Sequence, residues 1–298
     1  MLKTHQSDQL VYPSQYIEIG GSQMHYVETG QGDPILFLHG VPTSSYVWRN
    51  VMPYLAPLGR CIAVDLMGFG KSDKPMITYS IKEHIRFVEQ FIQALGLKRV
   101  TLVMHGVGSI IGLDYAMRHE ENCKSLVFYE SFLEAFEGAE ISLAFQEQRL
   151  ALDAYRASLL KGVQGADFVR LMLEQSSMLA LPETVISHYI EPFKEQGSTG
   201  PLLGYLNDFD DAEGSSVASQ IIANYSRKLV ESFLPKLMLC SVPGLITTVS
   251  TMMWAKEYLP QLEMTELGEE LHLAQETNPE MFGEVVSVFV QTIEQMRE

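Results

Sequence analysis

The order in which strand-like and helix-like segments follow one another is the feature that most limits what this chain can fold into. PILFLHG (Pro34 to Gly40) and RCIAVDLMGFG (Arg60 to Gly70) are short continuous apolar runs stopped by glycine, the pattern of strands covered on both faces. Ahead of them QYIEIGGSQMHYVETG alternates around Gly20-Gly21 and predicts an opening hairpin, and between them SYVWRNVMPYLAPLG has helical spacing. SIKEHIRFVEQFIQALGL (Ser80 to Leu97) sets Ile81, Ile85, Val88, Phe91, Ile92 and Leu95 on one stripe, with Ser80 as N-cap and Gly96 as C-cap. TLVMHGVGSIIG then passes from an apolar strand through His-Gly-Val-Gly into an apolar helix, and SLVFYE (Ser125 to Glu130) reads as a further strand. Such alternation predicts a mostly parallel sheet flanked by helices.

The alternation stops after that strand. From Phe132 to about Asp211 the pattern is helical and loop-rich and ends in YLNDFDDAEGSS, whose acidic run from Asp208 to Glu213 reads as a solvated turn. It resumes with PKLMLCSVPG, a helix around STMMWAKEYL, the short segment LEMTELGEELH and a closing helix EMFGEVVSVFVQTIEQM. One α/β core with a helical insertion after the sixth strand is expected, with no repeat and no interdomain linker. The Met and aromatic side chains of the insertion, Phe132, Phe136, Phe145, Phe168, Met172, Met178 and Tyr205, are expected mainly to pack, with a few lining a pocket.

Composition narrows the partners. A chain of 298 residues that is 46% hydrophobic can bury a large core. Its formal charge of −16 makes nucleic acid and anionic membrane surfaces poor partners, since phosphate recognition needs clustered Lys and Arg. Cys61, Cys123 and Cys240 lie in or beside apolar stretches and are too scattered for a disulfide framework or a metal site, so buried free thiols are expected. No apolar run approaches the roughly 18 residues of a membrane span. A cytoplasmic protein binding a small apolar molecule, without metal or other cofactor, is the expectation; nothing in the sequence sets an oligomeric state.

Three motifs in fixed order, HGVPTSSYVWRNV (His39 to Val51), DLMGFGKSDKP (Asp65 to Pro75) and LHLAQETNPEMFG (Leu271 to Gly283), resemble the haloalkane dehalogenases, in the branch whose catalytic acid follows the sixth strand. The resemblance covers nearly the whole chain. It implies an α/β-hydrolase fold: an eight-stranded, mostly parallel sheet built from residues 1–131 and 212–298, with a helical cap over residues 132–211. The same resemblance places the general base at His272 and its acid at Glu130. The alternative acid position after the seventh strand, SVPGLITT, holds no Asp or Glu.

In this fold a sharp strand-to-helix turn presents the nucleophile. The family motif there is His-Asp-Trp-Gly, whereas this chain has His105-Gly106-Val107-Gly108. The Asp position is vacant at Gly106. The halide-binding Trp and Asn positions are held by Val107 and Val41, whose side chains donate no hydrogen bond. Ser109 and His105 have suitable chemistry, but the first helical turn and the strand end point them elsewhere. Val41, Val107, His105, Phe132, Leu245 and Leu271 are the expected pocket residues. Asp65 and Asp73 are expected to fix loops, and Trp48, Arg49 and Asn50 to belong to the scaffold.

A His paired with a buried carboxylate can act alone as a general base, contributing roughly 10²–10⁴-fold. The residues therefore leave three functions open. The first is a nucleophile-less enzyme (lyase, cyclase, isomerase or water-activating hydrolase). The second is a non-catalytic small-molecule binder, and the third an engineered, inactivated dehalogenase. The third is disfavoured because Val41 and Val107 are changed as well as Gly106.

Overall fold

The computed structural model describes residues 7–134, 142–210 and 216–296. Phe136 and residues 211–213 of the acidic run lie outside them. The strands are β1 (Ser14–Ile19), β2 (Ser22–Thr29), β3 (Pro34–Leu38), β4 (Arg60–Val64), β5 (Val100–Gly106), β6 (Cys123–Ser131), β7 (Lys236–Pro243) and β8 (Leu262–Glu270). They form one sheet in the order β1-β2-β4-β3-β5-β6-β7-β8. Pairing is antiparallel at β1-β2 and β2-β4 and parallel from β4 through β8.

Burial follows position in the sheet. The central β5 and β6 are buried at every residue, which explains their unbroken apolar runs. β8 is an edge, and its exposed Glu263, Glu266 and Glu269 discourage pairing with another chain; the same charges hide it as a strand in the sequence.

The helices of the core are α1 (Met52–Leu55), α2 (Ile81–Ala94), α3 (Val107–Arg118), α9 (Val217–Leu229), α10 (Val249–Tyr258), α11 (Ala274–Thr277) and α12 (Pro279–Gln295). Between β6 and α9 lie α4 (Leu143–Asp153), α5 (Arg156–Leu159), α6 (Gly165–Glu174), α7 (Glu183–Ile190) and α8 (Gly200–Asp208), the helices of the inserted cap. The expected helix over SYVWRNVMPYL is broken into a 3-10 turn, Ser45–Trp48, and the one-turn α1, whose Pro53 suits a helix start. α2 starts as expected: Ser80 caps it and exchanges bonds with Glu83 in a capping box, and Gly96, at φ 62°, follows its last turn.

All three cysteines are buried and free. Of the cap side chains expected to pack, Phe132, Phe145, Phe168, Met172 and Tyr205 are buried, whereas Met178 is exposed because it sits in the loop before α7. Asp65 accepts the Ser45 and Lys71 N–H groups, and Asp73 that of Gln23, as loop-fixing carboxylates do. No helix among the described residues is long and apolar enough to cross a membrane.

The acidic run requires a correction. Asp208 is not in a solvated turn but is the last residue of α8, buried, with its carboxylate accepting the Ile81 N–H at 2.6 Å. It thereby satisfies an orphan donor at the start of α2 and ties cap to core. Burial pushes its pKa up from 3.8 to about 6, against the pull of the Ile81 bond. A pKa raised in the folded state means that the proton is held more tightly there. The stabilisation is complete below the unfolded value and is lost as pH rises through about 6. Asp208→Asn keeps an acceptor but cannot titrate. Between pH 4 and 6 the wild type should lose up to about 3 kcal/mol relative to this variant in urea denaturation. Parallel pH profiles would contradict the assignment.

Candidate active site

β5 ends at Gly106 and α3 begins at the next residue, so the strand-to-helix turn stands where the sequence places it. Gly106 has φ 53° and ψ −128°, a conformation that side chains rarely adopt. A Cβ built on it would lie 3.3 Å from His272 Nε2 and 3.3 Å from the Gly40 Cα. The imidazole edge therefore stands over the turn, and a side chain added at Gly106 would have to displace it by a few tenths of an ångström.

Glu130 is aimed by a defect in the ladder. β5 and β6 pair His105 with Tyr129 and then Gly106 with Ser131, which leaves Glu130 as a bulge with φ 47°. Its side chain turns toward the loop after β7. There Oε2 accepts the N–H groups of Leu245 at 3.0 Å and Ile246 at 2.7 Å, and Oε1 that of Thr247 at 3.2 Å. Oε2 also lies 3.0 Å from His272 Nδ1. Gly244, at φ 69°, lets the loop wrap this closely, since a Cβ there would stand 2.9 Å from Oε1. SVPGLITT thus supplies backbone donors to the acid instead of an acid of its own. Glu130 is 1% exposed and His272 4%.

With the proton on Nδ1 facing the carboxylate, His272 presents Nε2 to the space above Gly106. Its backbone is held from two sides. The Ser176 carbonyl, just past α6 in the cap, accepts the His272 N–H at 2.9 Å, and the His272 carbonyl lies 2.9 Å from His105 Nε2. His105 is fully buried, with its ring centroid 4.2 Å from that of His272. Burial, then the neighbouring His272, holds its pKa well below the ordinary value, so it is neutral and donates Nε2–H to the carbonyl. It buttresses the His272 ring from below.

Ser109 is likewise occupied locally: its Oγ donates to the Gly106 carbonyl at 2.6 Å and accepts the Phe132 N–H at 3.2 Å. Phe132 packs against Phe145 and Phe209 of the cap, and Val41, Val107 and Leu245 are buried while Leu271 is half-buried. Val107 is the first residue of α3, so its N–H has no partner within the helix and marks the positive end of the helix dipole. Among the described residues no cluster of three or more His, Cys, Asp or Glu is placed to hold a metal ion.

The donors around Glu130 and the Ser176 carbonyl were not legible in the sequence, because both contributions are backbone. The Gly in SVPG was the one available signal. These donors also make Glu130 the anchor of the loop. Glu130→Ala leaves three N–H groups and His272 without their partner and should cost about 3–5 kcal/mol in guanidinium denaturation. His272→Ala removes one of those bonds and should cost about 1–2 kcal/mol. Equal losses would show that the loop does not depend on the carboxylate.

Residues 33–191 match the alpha/beta hydrolase fold family. A haloalkane dehalogenase of Sphingobium indicum is 35% identical over 286 residues, covering 93% of this chain and 95% of that protein. One from Agrobacterium fabrum is 32% identical, covering 92% and 90%. Among solved structures, the haloalkane dehalogenase DatA from Agrobacterium tumefaciens superposes with a TM-score of 0.86 at 28% identity, covering 94% of this chain and 97% of that one. DbeA from Bradyrhizobium elkani gives 0.85 at 28%, covering 95% and 99%. With the sheet order and the placement of Gly106, Glu130 and His272, these likenesses show that the chain belongs to the haloalkane dehalogenase-like family of α/β-hydrolases.

Proposed function

We propose that the protein is an enzyme without a covalent nucleophile, in which His272 and Glu130 act as a general base on a small or medium apolar, neutral molecule. The reaction is that of a lyase, a cyclase, an isomerase or a hydrolase that activates water, and it proceeds without a resident cofactor. The observation that carries this reading is the bare turn at Gly106 with His272 Nε2 standing over it, 3.3 Å from where a side chain would begin.

Displacement of halide requires an anionic nucleophile in line with the leaving group and donors for the departing ion. Gly106 offers no carboxylate, and the isopropyl groups of Val41 and Val107 offer no side-chain donor. What is present suits proton removal. Glu130 fixes the His272 tautomer, and Nε2 takes a proton from an acidic C–H or O–H, or from water. The Val107 N–H, at the start of α3, is placed to stabilise the anion that proton loss leaves behind. Phe132, Leu245 and the two valines suit an apolar substrate. The bulge at Glu130, with its positive φ, is a strained conformation of the kind held at functional sites, which favours catalysis over mere binding.

The expected outcome with short chloro- and bromoalkanes is no halide release above buffer, and no alkyl adduct on the protein by intact mass spectrometry. Halide release from the purified protein, lost in His272→Ala, would overturn the proposal.

A further inference from the structure

Glu270 ends β8, and protection of the sheet edge does not explain it. Glu263, Glu266 and Glu269 of the same strand are exposed, whereas Glu270 is 4% exposed. Among the described residues no Lys, Arg or His pairs with it, and every partner of its carboxylate is a neutral donor. Oε1 accepts the N–H groups of Leu271 at 2.8 Å and Met178 at 3.0 Å, and Oε2 accepts the Thr277 hydroxyl at 2.5 Å. A buried carboxylate is costly unless hydrogen bonds of this kind replace its water.

The donors come from two places. Leu271 and Thr277 bracket the segment that carries His272, and Met178 belongs to the cap, in the loop between α6 and α7. Earlier in that loop the Ser176 carbonyl accepts the His272 N–H at 2.9 Å. The cap loop is thus bonded to the base segment twice, once at the His272 backbone and once through the Glu270 carboxylate. A single hydrogen bond lets the segment pivot; a second one stops the pivot. Ser176 is itself fixed inside the cap, since its Oγ donates to the Met172 carbonyl at 2.6 Å and accepts the amide of buried Gln148, in α4, at 3.0 Å. On the other side the Glu270 and Leu271 carbonyls accept the Gly244 and Leu245 N–H groups at 3.1 and 3.0 Å, from the loop that wraps Glu130. Glu270 therefore joins the cap, the segment of the base and the loop of the acid.

We propose that Glu270 is a positioning residue for His272: it locks the base segment against the cap loop at Ser176 and Met178, and so sets the angle at which the imidazole meets Glu130 and stands over Gly106. The effect passes through the backbone on either side of His272. The inference rests on the reading of His272 as the base, but the seating of the ring is measured without any substrate.

The test follows the ring by NMR of the full chain labelled with nitrogen-15 at histidine, the Nδ1–H signal of His272 being assigned by its loss in His272→Ala. In the wild type this proton should exchange slowly with water, because Glu130 holds it. Glu270→Ala should speed the exchange about tenfold or more. Glu270→Gln, whose carbonyl oxygen can still accept the Leu271 and Met178 N–H groups, should keep most of the protection. Thr277→Val, which removes one donor and leaves the carboxylate, should fall between wild type and Glu270→Ala, and it replaces the alanine variant if that one does not fold. Ile92→Val, in α2 of the core, lowers stability away from the site and should exchange as the wild type does. Wild-type exchange in Glu270→Ala and Thr277→Val, or a glutamine variant no better than alanine, would overturn the proposal. So would an equal loss of protection in Ile92→Val, or a wild-type proton with no protection to lose. Failure to find turnover with any compound would count against the base as a catalyst and would leave these exchange rates as expected.

Discussion

The Glu130 carboxylate accepts the N–H groups of Leu245, Ile246 and Thr247 and pairs with His272 Nδ1, and the geometry of the site depends on these contacts. The bulge at the end of β6 throws the side chain out of the ladder, and the loop after β7 closes around it. The carboxylate therefore has two duties. It replaces solvent for a turn of backbone, and it fixes which nitrogen of His272 carries the proton. With Nδ1–H directed at the carboxylate, Nε2 of His272 is left as the acceptor.

The cap is fastened to the core through contacts of different kinds. Ser176 offers a carbonyl to the His272 N–H, and Asp208 reaches down to the first turn of α2. A third attachment joins Arg49 and Glu276, bidentate at 2.7 Å for both bonds, with Tyr189 of α7 donating its hydroxyl to the same carboxylate. Side chains of this pair are nearly inaccessible, so breaking it would leave a buried charge unpaired. Arg49 thus belongs to the scaffold, as its motif suggested, and the scaffold here is the joint between cap and core.

How much could be read beforehand depended on whether a feature lived in local pattern or in distant backbone. The hairpin at Gly20-Gly21, the capped stripe of α2 and the strand-to-helix turn at Gly106 follow from spacing within a few residues. So does the stop of alternation after β6, and the family motifs placed Glu130 and His272 together although they lie 142 residues apart. The failures share a cause. Asp208 looked solvated because its neighbours are acidic, and its partner, Ile81, lies 127 residues earlier. β8 carries the glutamates of an edge strand, which resemble a loop. The donors to Glu130 are N–H groups of Leu245, Ile246 and Thr247, and no side-chain pattern announces them.

The most direct measurement of the account is turnover by the base alone. Compounds that copurify with the protein are identified by native mass spectrometry and returned to wild type and to His272→Ala, with the intact protein mass followed during the reaction. The account predicts a copurifying compound that the wild type converts and the variant does not, with no covalent intermediate at any time point. Conversion that persists in His272→Ala, or an adduct that forms and decays on the wild-type chain, would contradict it.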